Sequence, residues 1–264
     1  MEIKDSNRDI MKLRLKSVEL LNAGVEGENM SYMSEIYGII GAMDVEVKSL
    51  REAMNIEETV ERAGMTFCEG TLRNEHAVVV QSGVGKVNAA LCAQILIDEF
   101  HVTHLINTGI AGSLDNRLNI GDVVVSTDAC YHDVNATVFG YKEGQVPGMG
   151  ELAFPADTAL IAQVKAAAKK VAPNLQVLEG RICSGDQFIA DSARKNEIKE
   201  KFGGLCCEME GSAIAQTCFL NQIPFVIVRK ISDKADGSDV MEYVAFEKQA
   251  AKDCAAIVEA MMNK

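Results

Sequence analysis

Four acidic residues stand where acids are costly to place. The stretch Cys206–Ala215 reads CCEMEGSAIA, so Glu208 and Glu210 flank Met209 among small and apolar neighbours. Glu46 lies in GAMDVEVKSLREAM, just past the apolar run IYGII, and Asp233 closes the run FVIVRKIS. A carboxylate carried toward an interior is unfavourable unless it is hydrogen-bonded or paired. Each acid alone has a plain explanation, because acids at a helix N-terminus gain about 0.3–1 kcal/mol from the exposed N–H groups and the macrodipole. That explanation weakens when several acids fall at the ends of strands that share one sheet edge, where α/β folds place their ligands.

Other chemistries lack their residues. QSGVGKVNAA and NTGIAGS are glycine-rich strand-to-helix turns, but neither is a full dinucleotide fingerprint and no Walker pattern occurs. No Gly-x-Ser-x-Gly elbow is present, so a serine hydrolase is not indicated. The histidines, including His101, His104 and His132, are scattered singly without H-x-x-x-H or H-E-x-x-H spacing, and no metal site is expected. The eight cysteines form no C-x-x-C and sit mostly among apolar residues, which reads as buried thiols in a reducing cytoplasm.

The elements that must position the acids alternate. Apolar, β-branched runs appear at IYGIIGA, AVVVQS, HLINTG, GDVVVS, GRICSG and PFVIVRKIS. Helical patterns such as GKVNAALCAQILIDEF and ADTALIAQVKAAAKKV lie between them, and Tyr243–Met261 reads as an amphipathic C-terminal helix. The expectation is one α/β domain over 36–264, with a central sheet covered on both faces. Residues 1–35 differ: charged and irregular, they suggest either a helical arm using Ile10, Leu13, Val18 and Leu21, or an extension upstream of a start at Met30 or Met33. The 264 residues carry 38 acidic and 26 basic side chains, net charge −12, which argues against nucleic acid or an anionic membrane as partner. No signal peptide or membrane-spanning run is apparent.

Seven blocks, IIGAMDVEV, SGVGKVNAA, INTGIAGS, GDVVVS…YHDVNATVFGY…GQVPG, SGDQFI, CEMEGSAIA and VRKISDKAD, resemble in order and spacing the 5′-methylthioadenosine/S-adenosylhomocysteine nucleosidases of the nucleoside phosphorylase superfamily. The resemblance runs from about Ile36 to the C-terminus. It implies a mixed, twisted sheet flanked by helices, a homodimer, no metal and no organic cofactor. It also implies hydrolysis of the adenine–ribose bond in methylthioadenosine and S-adenosylhomocysteine, and of 5′-deoxyadenosine as well, within methionine salvage. Cleavage develops positive charge on the sugar and negative charge on adenine, the logic of glycoside hydrolysis applied to a nitrogen leaving group.

By the resemblance, Asp233 is the general acid toward adenine N7. It must then be held protonated well above the roughly 3.9 of an exposed aspartate, by desolvation or neighbouring anions. Glu46 is the base for water, Arg229 positions water or ribose, Ser232 supports Asp233, and Glu210 accepts the ribose hydroxyls with Met209 against the sugar. Glu208 is supportive. Phe188 and Ile189 form the adenine pocket; Met43, Val84 and Tyr243 build the slot for the alkylthio tail. Ile110 and Gly112 lie in the turn beside water and ribose, and Ala136, Phe139 and Pro147 reach across the dimer. Ile110 replaces a common serine, and Ala136 and Tyr243 also depart from the family pattern. Three alternatives stay open: a phosphorylase using phosphate, an aminodeoxyfutalosine nucleosidase, and a silent nucleoside-binding protein. Glu46 at the first strand, with no arginine before Arg51, disfavours phosphate; the presence of Glu46, Glu210 and Asp233 disfavours a silent protein.

Overall fold

The computed structural model describes residues 35–234 and 240–263, with side chains omitted over 240–247. The extension expected over residues 1–35 falls, apart from Glu35, outside the described residues.

Strand β1 (Ile36–Gly41) leads into α1 (Asp44–Ala53), followed by β2 (Met54–Arg62), β3 (Met65–Leu72) and β4 (Glu75–Gln81). Helix α2 (Lys86–Asp98), β5 (His104–Ser113), β6 (Val123–Tyr131), a 3₁₀ turn at Thr137–Phe139 and β7 (Phe154–Pro155) come next. Then follow α3 (Thr158–Val171), β8 (Val177–Ser184), α4 (Ser192–Phe202), β9 (Cys206–Glu208), α5 (Gly211–Asn221), β10 (Phe225–Asp233) and α6 (Val240–Met261). The apolar runs become strands because they bury both faces: every residue of β10 is buried, as are four consecutive residues of β4. Helices α3 and α4 start where Asp157 and Asp191 accept the N–H groups of Leu160 and Arg194, each at 2.9 Å.

The sheet is mixed, as the resemblance implies, and it also closes on itself. One arm runs β2-β3-β4-β1-β5. From β5 the sheet continues through β10, β6, β8 and β9, and β9 pairs back onto the end of β5. That ring sets the register of the site. Asp233 on β10 lies opposite Gly112 on β5, Gly112 lies opposite Cys207 on β9, and Glu208 on β9 lies opposite Ser184 on β8. The exposed β2–β3 hairpin and the short β7 and β9 have no counterpart among the expected strands. All eight cysteines are buried free thiols. Among the described residues no helix is long and apolar enough to cross a membrane.

Candidate active site

An open-mouthed cavity of about 590 Å³ lies at the carboxyl ends of β1, β5 and β10 and reaches β9. That is ample for a small nucleoside. Four carboxylates line it: Glu46, Glu208, Glu210 and Asp233. No lysine or arginine does, among the described residues.

Glu46 enters from the first turn of α1. Its Oε2 accepts the backbone N–H groups of Ala42 (2.7 Å) and Met43 (3.0 Å), and its Oε1 accepts that of Ile110 (3.1 Å). The carboxylate thus fills a nest of three donors formed where β1 and β5 end. Such an approach requires glycine at 109, because a Cβ there would stand 2.3 Å from Glu46 Oε1. Burial pushes the carboxyl upward from its ordinary value, and the Arg229 charge and the three backbone bonds oppose that push.

The two acids of CCEMEGSAIA have different surroundings. Glu208 is saturated: Ser184 Oγ donates to Oε1, while Arg229 (2.6 Å), Glu210 N (3.1 Å) and Gly211 N (2.8 Å) donate to Oε2. It holds the β9–α5 turn and the head of α5. Glu210 accepts one bond, from Gly85 N at 2.7 Å, and keeps lone pairs toward the cavity. Burial first, then the Glu208 charge, push it up to about 7. A carboxyl poised there takes or releases a proton near neutral pH when a ligand's donors arrive.

Arg229 lies behind the wall. It is 2% exposed, does not line the cavity, and donates to Glu208, to Asn107 Oδ1 and to Val228 O (3.2 Å). It therefore neutralises the acids from within the sheet and does not face the cavity. Asp233 accepts from Ser232 Oγ on Oδ1 (2.9 Å), and Ser232 Oγ also lies 3.2 Å from Ala111 O. Neighbouring anions are expected to keep Asp233 protonated; its charged contact is instead a buried cation, Lys195 of α4, which donates to Oδ2.

Met43, Val84, Ile110, Gly112, Phe188, Ile189, Met209 and Ser232 also line the cavity. Phe188 presents an exposed ring at its mouth, and Val84 is half-exposed. The Ile110 side chain is apolar where a hydroxyl is common, yet its N–H serves Glu46. Tyr243 belongs to α6, but its side chain lies outside the described residues. Ala136, Phe139 and Pro147 do not line this cavity; Ala136 is buried, and Phe139 and Pro147 are exposed. Among the described residues no cluster of three histidine, cysteine or acidic side chains could hold a metal ion.

Sequence reasoning passed over Lys195, Asn107 and Ser184. Asn107 and Ser184 sit within apolar strands, where a lone polar residue in the run was the available signal. Lys195 looks like surface charge in SARKNEIKEKF, but it shares a helical face with Ile198 and Phe202, and all three are buried.

Residues 36–263 match the phosphorylase superfamily. The chain is 42% identical over 228 residues to a 5′-methylthioadenosine/S-adenosylhomocysteine nucleosidase of Staphylococcus aureus, covering 86% of this chain and 99% of that one. It is 40% identical to that of Psychromonas ingrahamii, over 86% of this chain and 97% of that one. The crystal structure of the Neisseria meningitidis nucleosidase in complex with methylthio-immucillin-A superposes with a TM-score of 0.82, at 40% identity, covering 87% of this chain and 99% of that one.

Proposed function

The chain belongs to the phosphorylase superfamily and within it to the 5′-methylthioadenosine/S-adenosylhomocysteine nucleosidases, and from that premise we propose that it hydrolyses the N-glycosidic bond of methylthioadenosine and S-adenosylhomocysteine, releasing adenine and the thio-sugar. One observation carries water, and not phosphate, as the nucleophile. The three backbone N–H groups at the head of the cavity, a natural anion cradle, are already taken by the Glu46 carboxylate. A phosphate would meet four carboxylates and no facing cation.

The steps follow from the groups. Glu46, fixed by three donors, takes a proton from water directed at the anomeric carbon. Glu210 accepts the ribose hydroxyls with the lone pairs that Gly85 leaves open, which only an ionised carboxylate can do for two O–H donors. Their bonds strengthen as positive charge grows on the ring. Phe188 stacks on the base, and Asp233 gives a proton to adenine N7 as the bond breaks. Each such acid or base is worth on the order of 10²–10⁴-fold. Arg229 and Glu208 act from behind, keeping β9 and α5 in place and holding down the charge of the acid cluster. The apolar Met43 and Val84 suit a thioether tail.

The functional unit is a homodimer. Val138 and Phe139 are 84% and 80% exposed in the segment that would reach a partner's cavity, and large apolar side chains this open favour burial against another chain. Release of adenine from both substrates tests the reading; no adenine from either contradicts it. Loss of activity on dilution, in step with dissociation of a dimer, tests the assembly.

A further inference from the structure

Donation to the leaving base needs Asp233 in its carboxyl form, yet the structure presses an ammonium against it. Lys195 Nζ donates to Asp233 Oδ2 and, at 2.7 Å, to the backbone oxygen of Lys234. The lysine side chain is 2% exposed and the aspartate side chain 12%. Helix α4, which carries the lysine, begins three residues after Ile189, so one short segment holds both the base-stacking residues and the cation that meets Asp233.

The other groups around Asp233 bear no charge that competes. From β9, Cys206 and Cys207 face it, and burial pushes both thiols up, Cys207 to about 12, so they stay neutral. From β5, Gly112 offers only backbone, with room for Asp233 because a Cβ there would stand 3.0 Å from Oδ2. On its own strand Ser232 gives a neutral O–H. An ammonium in contact with a carboxylate favours the ionised form, and more so away from water.

We propose that Lys195 governs the protonation of Asp233: it holds the carboxylate ionised in the unliganded site, and turnover runs through the fraction of enzyme in which Asp233 carries the proton. Lys195 is a positioning residue that acts through Asp233 and touches no substrate atom. The inference rests on the reading of Asp233 as the donor. Its consequence is that the Lys195–Asp233 pair sets the high-pH limb of activity.

The test compares kcat/KM against pH for the wild type, Lys195→Met and Lys195→Arg with methylthioadenosine. Lys195→Met moves the high-pH limb upward by about one pH unit or more, the scale on which a contacting opposite charge biases a carboxylate; Lys195→Arg keeps the limb where it is. A merely structural lysine would change the melting temperature and leave the limb unmoved, and that result overturns the proposal. If Lys195→Met does not fold, Lys195→Gln keeps a donor for the Lys234 carbonyl without the charge and is held to the same outcome. A second readout needs no turnover: the ¹³C carboxyl signal of Asp233, assigned by its loss in Asp233→Asn, titrates at higher pH in the uncharged variant. Wild-type protein that releases no adenine defeats the functional reading, whereas an unmoved carboxyl titration defeats the role of Lys195.

Discussion

Arg229→Met tests whether the sheet interior is organised around one charge. Arg229 is 2% exposed and the Glu208 side chain, 2.6 Å away, is 4% exposed. Methionine fills much of the volume but leaves Glu208 with Ser184 Oγ and two backbone N–H groups and no cation. Removing one partner of a buried pair costs roughly 3–5 kcal/mol because the other charge is stranded. For a domain of this size a kilocalorie corresponds to about 2–4 °C, so melting should fall by roughly 6–20 °C. Activity should change in a second way. Arg229 is the main influence opposing the upward push of burial on Glu46. Without it Glu46 holds its proton to higher pH, and the low-pH limb of turnover moves up. Replacing Glu208 by Gln in the same variant removes the stranded charge while keeping a carbonyl for the turn, and should restore part of the lost stability. The assays are thermal denaturation and kcat/KM over pH. A variant that melts with the wild type and keeps its low-pH limb would refute this account of Arg229.

Asp233→Asn should lower kcat by at least about 10²-fold while adenine still binds, as single-turnover assays and calorimetry would show; near-native turnover removes Asp233 as the donor. Gly109→Ala drives a methyl to 2.3 Å from Glu46 Oε1, and the crowding should cost about 1–3 kcal/mol along with most of the activity. For Glu210 the sign is that of a raised acid: between its ordinary 4.5 and about 7 the folded protein binds more protons than the unfolded chain. Stability therefore falls as pH rises through that window, by about 3 kcal/mol at full ionisation. Glu210→Gln should flatten that slope in denaturant titrations, and an unchanged slope would show that Glu210 is not its source.

The strands and the acids were legible for the same reason. A strand buried on both faces must be continuously apolar, so IYGII, AVVV and FVIV announce themselves, and a carboxylate at the end of such a run stands out. The β2–β3 hairpin did not, because β2 is mostly exposed and carries acids at Glu57, Glu58 and Glu61, a pattern a polar loop shares. Closure of the sheet through β9 was also hidden: a pairing of two residues with β5 depends on tertiary packing and leaves no period in the chain. Types of site residue were readable, but their division of labour was not. Nothing in CCEMEGSAIA distinguishes the saturated Glu208 from the open Glu210, because their partners come from β5, β8, β10 and the turn before α2. Arg229 and Lys195 are cations that sequence assigns to the solvent or the substrate, and only the fold turns them inward toward the acids.

The claim on which the rest depends is that water attacks while Glu46 fills the cradle a phosphate would need. Purified protein is incubated with methylthioadenosine with and without phosphate, and the sugar product is identified. Free methylthioribose, formed at a rate that phosphate does not change, is the predicted result. A sugar phosphate that forms only when phosphate is supplied would contradict it, and with it the role given to Glu46.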